Sequence, residues 1–144
     1  MNIFEPTDAD IRLLTPSLRR LVQEYRGSLT PDPVLCVRAA YRALGNPNIF
    51  IRFAVKDGEL IGFFLGGLSV EMFTGAKIAT QIGTMLLPGQ TGHLQAFLNE
   101  FKTWAKEQRA KRIYMHFAES SERQDKIMKR RGYAPAGTHY MKEI

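Results

Sequence analysis

The sequence predicts an α+β fold: a mixed, mostly antiparallel twisted sheet flanked by helices, with two N-terminal helices ahead of a central hairpin. Three observations lead there. Apolar residues recur at helical spacing up to residue 44, change to short β-branched and aromatic runs between 49 and 87, and return to helical spacing from 93. Asp57-Gly58 separates two of the apolar runs, which is a two-residue hairpin signal. A helical crossover then joins the third run to the next strand, so those two strands run parallel.

Element by element, Thr7 and Asp8 can cap a short helix. Thr15-Pro16 reads as an N-cap and a first helical position, followed by Leu18, Leu21, Val22 and Tyr25 at helical spacing. Asp32-Pro33 starts the next helix in the same way, with Val34, Val37, Tyr41 and Leu44 in one stripe and Gly45 as its stop. Strands are expected at 49–55, 60–70 and 77–87. The loop 88–92 leads into a helix over 93–108, where Leu94, Phe97, Leu98, Phe101 and Trp104 share a face. A strand at 111–117, a helix at 120–131 stopped by Gly132, and a terminal strand at 138–144 complete the order.

At 144 residues the chain is expected to be a single domain, 1–144, able to bury a core without disulfide staples. Its lone cysteine, Cys36, lies in a helical stretch and reads as a structural thiol in a reducing compartment. No apolar run nears the roughly 18 residues of a membrane span, so a membrane is not expected as partner and the cytoplasm is the expected location. Three scattered histidines and no ligand-spaced cluster predict no metal. The net charge of +6 is concentrated: ten Lys or Arg stand against four Asp or Glu between Lys102 and Arg131. Such a run suits solvated helix faces, an acidic protein or a phosphorylated cofactor; without interleaved aromatic platforms, nucleic acid is an unlikely partner.

Four strings carry a resemblance. "FAVKDGELIGFFLG", "TMLLPGQTGHLQAFLNEFKTWAKEQRAKRIYM", "KIMKRRGYAPAG" and "HYMKEI" are, in that order and spacing, similar to the GNAT superfamily of N-acyltransferases. The Phe-x-x-Trp-Ala-Lys helix is similar to that of bacteriophage-carried members, which would make a bacterial host's cytoplasm the compartment. The resemblance implies acetyl-CoA as co-substrate, an amine of a small molecule or protein as acceptor, and a monomer or homodimer. It implies a strand edge at Met85, Leu86 and Leu87 for the pantetheine amides. A loop and helix start at Gly89, Gln90, Thr91, Gly92, His93 and Leu94 would face the pyrophosphate.

Three departures stand against full activity. The family's loop pattern places glutamine or arginine, glycine, then glycine or alanine where Gly89, Gly92 and Leu94 stand, so only one slot is kept, unless Gln90 takes the first role in a shifted register. The slot of the family's usual tyrosine acid holds Met128, which cannot donate a proton. The usual strand glutamate is also missing, since 77–86 offers only Thr80, Gln81 and Thr84. Remaining catalytic candidates are Glu71, Glu119 and Ser120, with His116 beside them. Each has a structural reading: Glu71 as a strand-end charge, Glu119 as a helix cap, His116 as a packed or hydrogen-bonded histidine. The alternative to an enzyme is a catalytically degenerate member of the same fold that binds and modulates another protein, for example one of the host.

Overall fold

The computed structural model describes residues 1–25, 30–117, 122–137 and 140–144. In chain order the elements are β1 (Asn2–Phe4), α1 (Asp8–Glu24), α2 (Pro33–Ala43), β2 (Ile49–Lys56), β3 (Glu59–Val70), β4 (Lys77–Leu86), α3 (Leu94–Glu107), β5 (Arg112–Tyr114) and α4 (Glu122–Arg130). The strands form one sheet in the order β1-β2-β3-β4-β5, antiparallel except for the β4/β5 pair. Asp57 and Gly58 take positive φ of 53° and 78°, the conformation of a type I′ hairpin.

Both faces of the sheet are covered. On one, α1 and α2 pack Ile11, Leu14, Leu18, Leu21, Ala40 and Ala43 on Ile51, Phe53, Phe63 and Met85. On the other, Phe97, Leu98, Phe101 and Ala105 of α3 and Met128 of α4 cover Phe50, Ala54, Phe64 and Ala79. A strand buried on both sides needs no polar alternation, which is why "LIGFFLGGL" reads as one apolar run. Each extra residue skipped in the ladder, at Ile61 opposite Ala54/Val55 and at Ile82 opposite Leu65/Gly66, resets which side chains face which core.

The structure corrects the sequence reading in three places. Two N-terminal pieces expected around Thr15-Pro16 are one helix with Pro16 inside it. Its start is the expected one: Thr7 accepts from Asp10 N–H, while the Asp10 carboxylate accepts from Thr7 N–H at 2.8 Å, a reciprocal cap. Those bonds from Thr7 hold the Asp10 carboxyl below its usual value. Pro16 survives because it sits on the exposed side, where water can take the carbonyl of Arg12 that loses its partner. The stripe Ile11, Leu14, Leu18, Leu21 stays buried through it. Second, Asn2–Phe4 forms an edge strand on β2 that the sequence reading left out. Third, the terminal strand is not formed over 140–144; residues 138 and 139 of that expectation lie outside the described residues. β5 itself is shorter than the expected 111–117.

α3 is held by stacked rings. Phe101 lies 5.2 Å from Phe64, 5.3 Å from Phe50 and 5.7 Å from Trp104, centroid to centroid. Gly66 lets the Phe101 ring approach: a Cβ there would lie 2.4 Å from the ring's Cε2. Gly66→Ala is therefore expected to cost about 1–3 kcal/mol through overpacking. Gly137→Ala, with nothing within 4 Å, should change little. Thermal unfolding of the two variants checks this.

Candidate functional site

β4 outlasts its neighbour. The parallel ladder with β5 runs from Ile78/Arg112 to Thr80/Tyr114, whereas β3 stays paired with β4 as far as Leu86. From residue 81 to 86, then, β4 has β3 on one side, and among the described residues no strand pairs with it on the other, which leaves a gap there. Gln81 ends the ladder. Its Oε1 accepts the His116 N–H at 2.9 Å, a bond that a β4 backbone carbonyl would otherwise receive. Its Nε2 donates to Thr84 Oγ1 at 3.0 Å. Gln81 is only 8% exposed, so both bonds answer a real desolvation cost. Residues three apart on a regular strand point to opposite faces; the skipped Ile82 lets Gln81 and Thr84 meet.

The same register tells which backbone groups face the gap. Leu87 N–H donates to Ile61 carbonyl at 3.0 Å, across to β3. Alternation along an antiparallel ladder turns Met85 to β3 as well, and turns the N–H and C=O of Thr84 and Leu86 toward the gap. The Met85 side chain is buried in the first core and Leu86 packs on the second.

After Leu87 the chain makes a tight turn, with Gln90 N–H on the Leu87 carbonyl at 3.0 Å. Pro88 second and Gly89 third, at φ 81°, suit a type II turn, where only glycine adopts the third position without strain. A 3₁₀ turn at Thr91–His93 follows. His93 N–H bonds to the Gln90 carbonyl at 3.0 Å, and His93 Nε2 lies 2.8 Å from Gln90 Oε1. His93 caps α3 without a side-chain bond to it, so the positive end of the helix lacks a side-chain acceptor there. Gly92 stands exposed with open space around its Cα. Leu94 does not stand over this end as an obstacle: it is the first residue of α3, and its side chain is spent on the second core.

Met85, Leu86, Leu87, Gly89, Gln90, Gly92, His93 and Leu94 are thus gathered in one strand-turn-helix unit, with Thr91 in its 3₁₀ turn. Glu71 is not among them. It follows β3 at the end where Val70 pairs with Lys77, while the gap begins at Gln81, opposite Gly66, and reaches Leu86, opposite Gly62; roughly 15 to 30 Å of strand separate Glu71 from it at about 3.3 Å per residue. There it accepts from the Thr74 hydroxyl and lies 3.5 Å from Arg112. Glu119 and Ser120 lie outside the described residues. Gln81 and Thr84 are the site residues that the sequence reading passed over; the signal was a polar pair in a strand whose neighbours are mostly apolar or small.

Met128 is buried in the second core at the end of α4. The stop there is complete: Tyr133 N–H returns to the Met128 carbonyl at 3.0 Å and Gly132 N–H to Lys129 at 3.0 Å, with Gly132 at φ 84°. The Tyr133 ring packs beneath; burial pushes its hydroxyl above the usual value and Arg131 pulls it back. Arg131 itself ties α4 to α3 through Asn99 and Gln95, each at 3.0 Å. A shallow groove of about 630 Å³ lies outside the gap, between Lys102, Arg112, Tyr114 and the turn at Arg131–Ala136. It offers cations and tyrosines but no free strand backbone of β4. Cys36 is half-buried beside the first core; burial and the Asp32 charge push its thiol up, away from the reactive thiolate. Among the described residues no cluster could hold a metal ion.

No known family's sequence pattern matches the chain, and no curated protein does. Solved structures do. An aminoglycoside 6'-N-acetyltransferase AAC(6')-IG from Acinetobacter haemolyticus superposes with a TM-score of 0.70 at 14% identity, over 100% of this chain and 99% of that one. A ribosomal-protein-alanine N-acetyltransferase from Brucella melitensis biovar Abortus 2308 gives 0.68 at 18% identity, over 100% of both. Aminoglycoside N-acetyltransferase AAC(6')-Iy, solved in complex with CoA, gives 0.70 at 13% identity over 99% of this chain and 98% of that one. At such identities the likeness establishes the fold, and the fold is that of the GNAT acetyltransferases.

If Gln81 holds the mouth of the gap, Gln81→Met keeps the volume but strands the His116 N–H. The expected cost is about 1 kcal/mol. Faster amide exchange at His116, with β2 and β3 amides unchanged, would locate the loss; uniform loosening of the sheet would contradict it.

Proposed function

We propose that this GNAT-fold protein is an N-acetyltransferase that takes the acetyl group of acetyl-CoA and passes it to an amine of a small molecule or protein. The observation that carries the reading is the open edge of β4 running directly into an α3 N-terminus without a side-chain cap. A pantetheine arm is a chain of amides that needs partners spaced like a strand. Thr84 and Leu86 turn their N–H and C=O groups into the gap to supply them. A pyrophosphate needs N–H groups and positive potential, which Gly89 and the first turn of α3 offer; the Leu87 and Gln90 N–H groups are bonded within the protein. The net charge of +6 draws such an anion in. Bound there, acetyl-CoA supplies an activated acyl group; the acceptor nitrogen forms the new C–N bond as the C–S bond breaks, and the thiolate leaves with a proton.

Within this reading Gln81 fixes how far the strands part, and Leu94 anchors the helix whose end meets the phosphates. Gln90 and His93, bonded to each other, shape the loop. The proton steps have no assigned residue: Glu71 is at the other end of the sheet and Met128 is a buried thioether. That last pair supports the second reading, a protein that keeps the fold and binds a partner without turnover.

Thermal unfolding with acetyl-CoA separates the cases. At a hundredfold excess over the dissociation constant the ligand adds about 2.7 kcal/mol, a shift of several degrees for this size. Gly89→Ala, forced to a positive φ, should weaken the shift at unchanged core packing. A saturable shift with thiol release on adding amines supports the enzyme; a shift without release supports the degenerate reading. No shift at millimolar acetyl-CoA overturns the cofactor site.

A further inference from the structure

The end of the sheet remote from the gap has its own construction. The turn between β3 and β4 holds Met72 and Phe73 in solvent, 87% and 95% exposed, beside Val70 at 65%. Isolated surface hydrophobes are common, but these are neighbours on a rigid tip. Glu71 N–H donates to the Ala76 carbonyl and Gly75 N–H to the Glu71 carbonyl, each at 2.8 Å. Ala76 N–H donates to Thr74 Oγ1 at 3.2 Å, the Thr74 hydroxyl donates to the Glu71 carboxylate, and Arg112 lies 3.5 Å from that carboxylate. The Glu71 and Thr74 side chains are tied up within the turn, and the side chains at its tip, Met72 and Phe73, are apolar.

Cations stand behind the tip. Lys77 begins β4, and Lys111 N–H is fastened to the Lys77 carbonyl at 2.7 Å. Arg109, Lys111 and Arg112 follow one another on the connection from α3 to β5, and with Lys77 all four are exposed. The acids nearby are Glu107, at the end of α3, and Glu71, whose charge Arg112 already meets.

We propose that this tip docks on an anionic phospholipid surface. Met72 and Phe73 enter the boundary between headgroups and acyl chains, and Lys77, Arg109 and Lys111 meet the lipid phosphates. This is attachment to a surface, not a span: no helix of the described residues is long and apolar enough to cross a membrane. A fluid surface suits the tip better than a folded partner does. A specific protein interface takes about 800 Å² per side, and two apolar side chains on one short turn do not supply that area. A second copy of the chain, itself at +6, would meet the cations with like charge.

The test is co-sedimentation of the full chain with phosphatidylcholine vesicles with and without phosphatidylglycerol. Binding is expected only with phosphatidylglycerol. Met72→Ser combined with Phe73→Ser should weaken it by about tenfold or more while leaving the unfolding midpoint and any acetyl-CoA shift unchanged, since both side chains are solvated and far from the gap. Arg109→Glu with Lys111→Glu should weaken it by about fivefold for each cation lost. The proposal is overturned if anionic vesicles do not retain the protein. It is equally overturned if the serine variant binds as well as the original, which would leave only diffuse charge attraction, or if the tip captures an acidic protein while vesicles are ignored.

Discussion

One side-chain amide decides the shape of the site. Were Gln81 an apolar residue, the β4/β5 ladder could continue past Tyr114 and the edge of β4 would be consumed by its neighbour. Instead the Gln81 carbonyl takes the His116 N–H, and its amide nitrogen is held by Thr84. The bond to Thr84 depends on the skipped Ile82, which places two residues that should oppose each other on one side. The split thus begins beside a register change, one residue from Gln81. Deleting Ile82 would restore regular pairing and part Gln81 from Thr84 while leaving Thr84 and Leu86 themselves in the strand.

The helix that meets the opening is aimed by packing. α3 crosses the sheet with Phe97 and Phe101 on Phe64, and Trp104 on Phe50. Arg52, over the Phe50 ring at 4.4 Å and bonded to Glu100 at 2.6 Å, locks the polar flank of the same helix. Glycines at 62 and 66 give up side chains so that the helix can sit close: a Cβ on Gly62 would lie 3.2 Å from the Phe97 ring, and one on Gly66 2.4 Å from the Phe101 ring. Leu94 extends this apolar face by a turn toward the loop. A residue that looks misplaced in a phosphate loop is, in position, the first anchor of the helix behind it.

How much of this could be read from the sequence follows from the range of the interactions involved. Asp57-Gly58, Thr7 and Asp32-Pro33 act within four residues, and their turn and caps formed as expected, with Asp10 rather than Asp8 completing the cap at Thr7. Pro16 misled because a local rule was outweighed by a stripe of buried residues on both sides of it. β1 is three residues long, too short to show a period, and exists through pairing with β2 some fifty residues away. The gap was legible only through resemblance: neither the Ile82 bulge nor the bond from Gln81 to His116, 35 residues apart, leaves a local pattern. Glu71 was a fair candidate by residue type alone; only the sheet register shows it at the wrong end.

A site of this kind also bears on why the chain has drifted so far in sequence. Its groups are main-chain N–H and C=O on a strand edge, a turn and a helix end. Such groups exist whatever side chains surround them, provided the strand parts and the helix points inward. Selection on them falls on glycines at close approaches, on the ring stack and on one buried amide, not on a string of conserved ligands. Structures at 13–18% identity can then superpose over nearly the whole chain while no family sequence pattern matches it. Side-chain chemistry has no such independence: Met128 is a buried thioether and β4 carries no carboxylate.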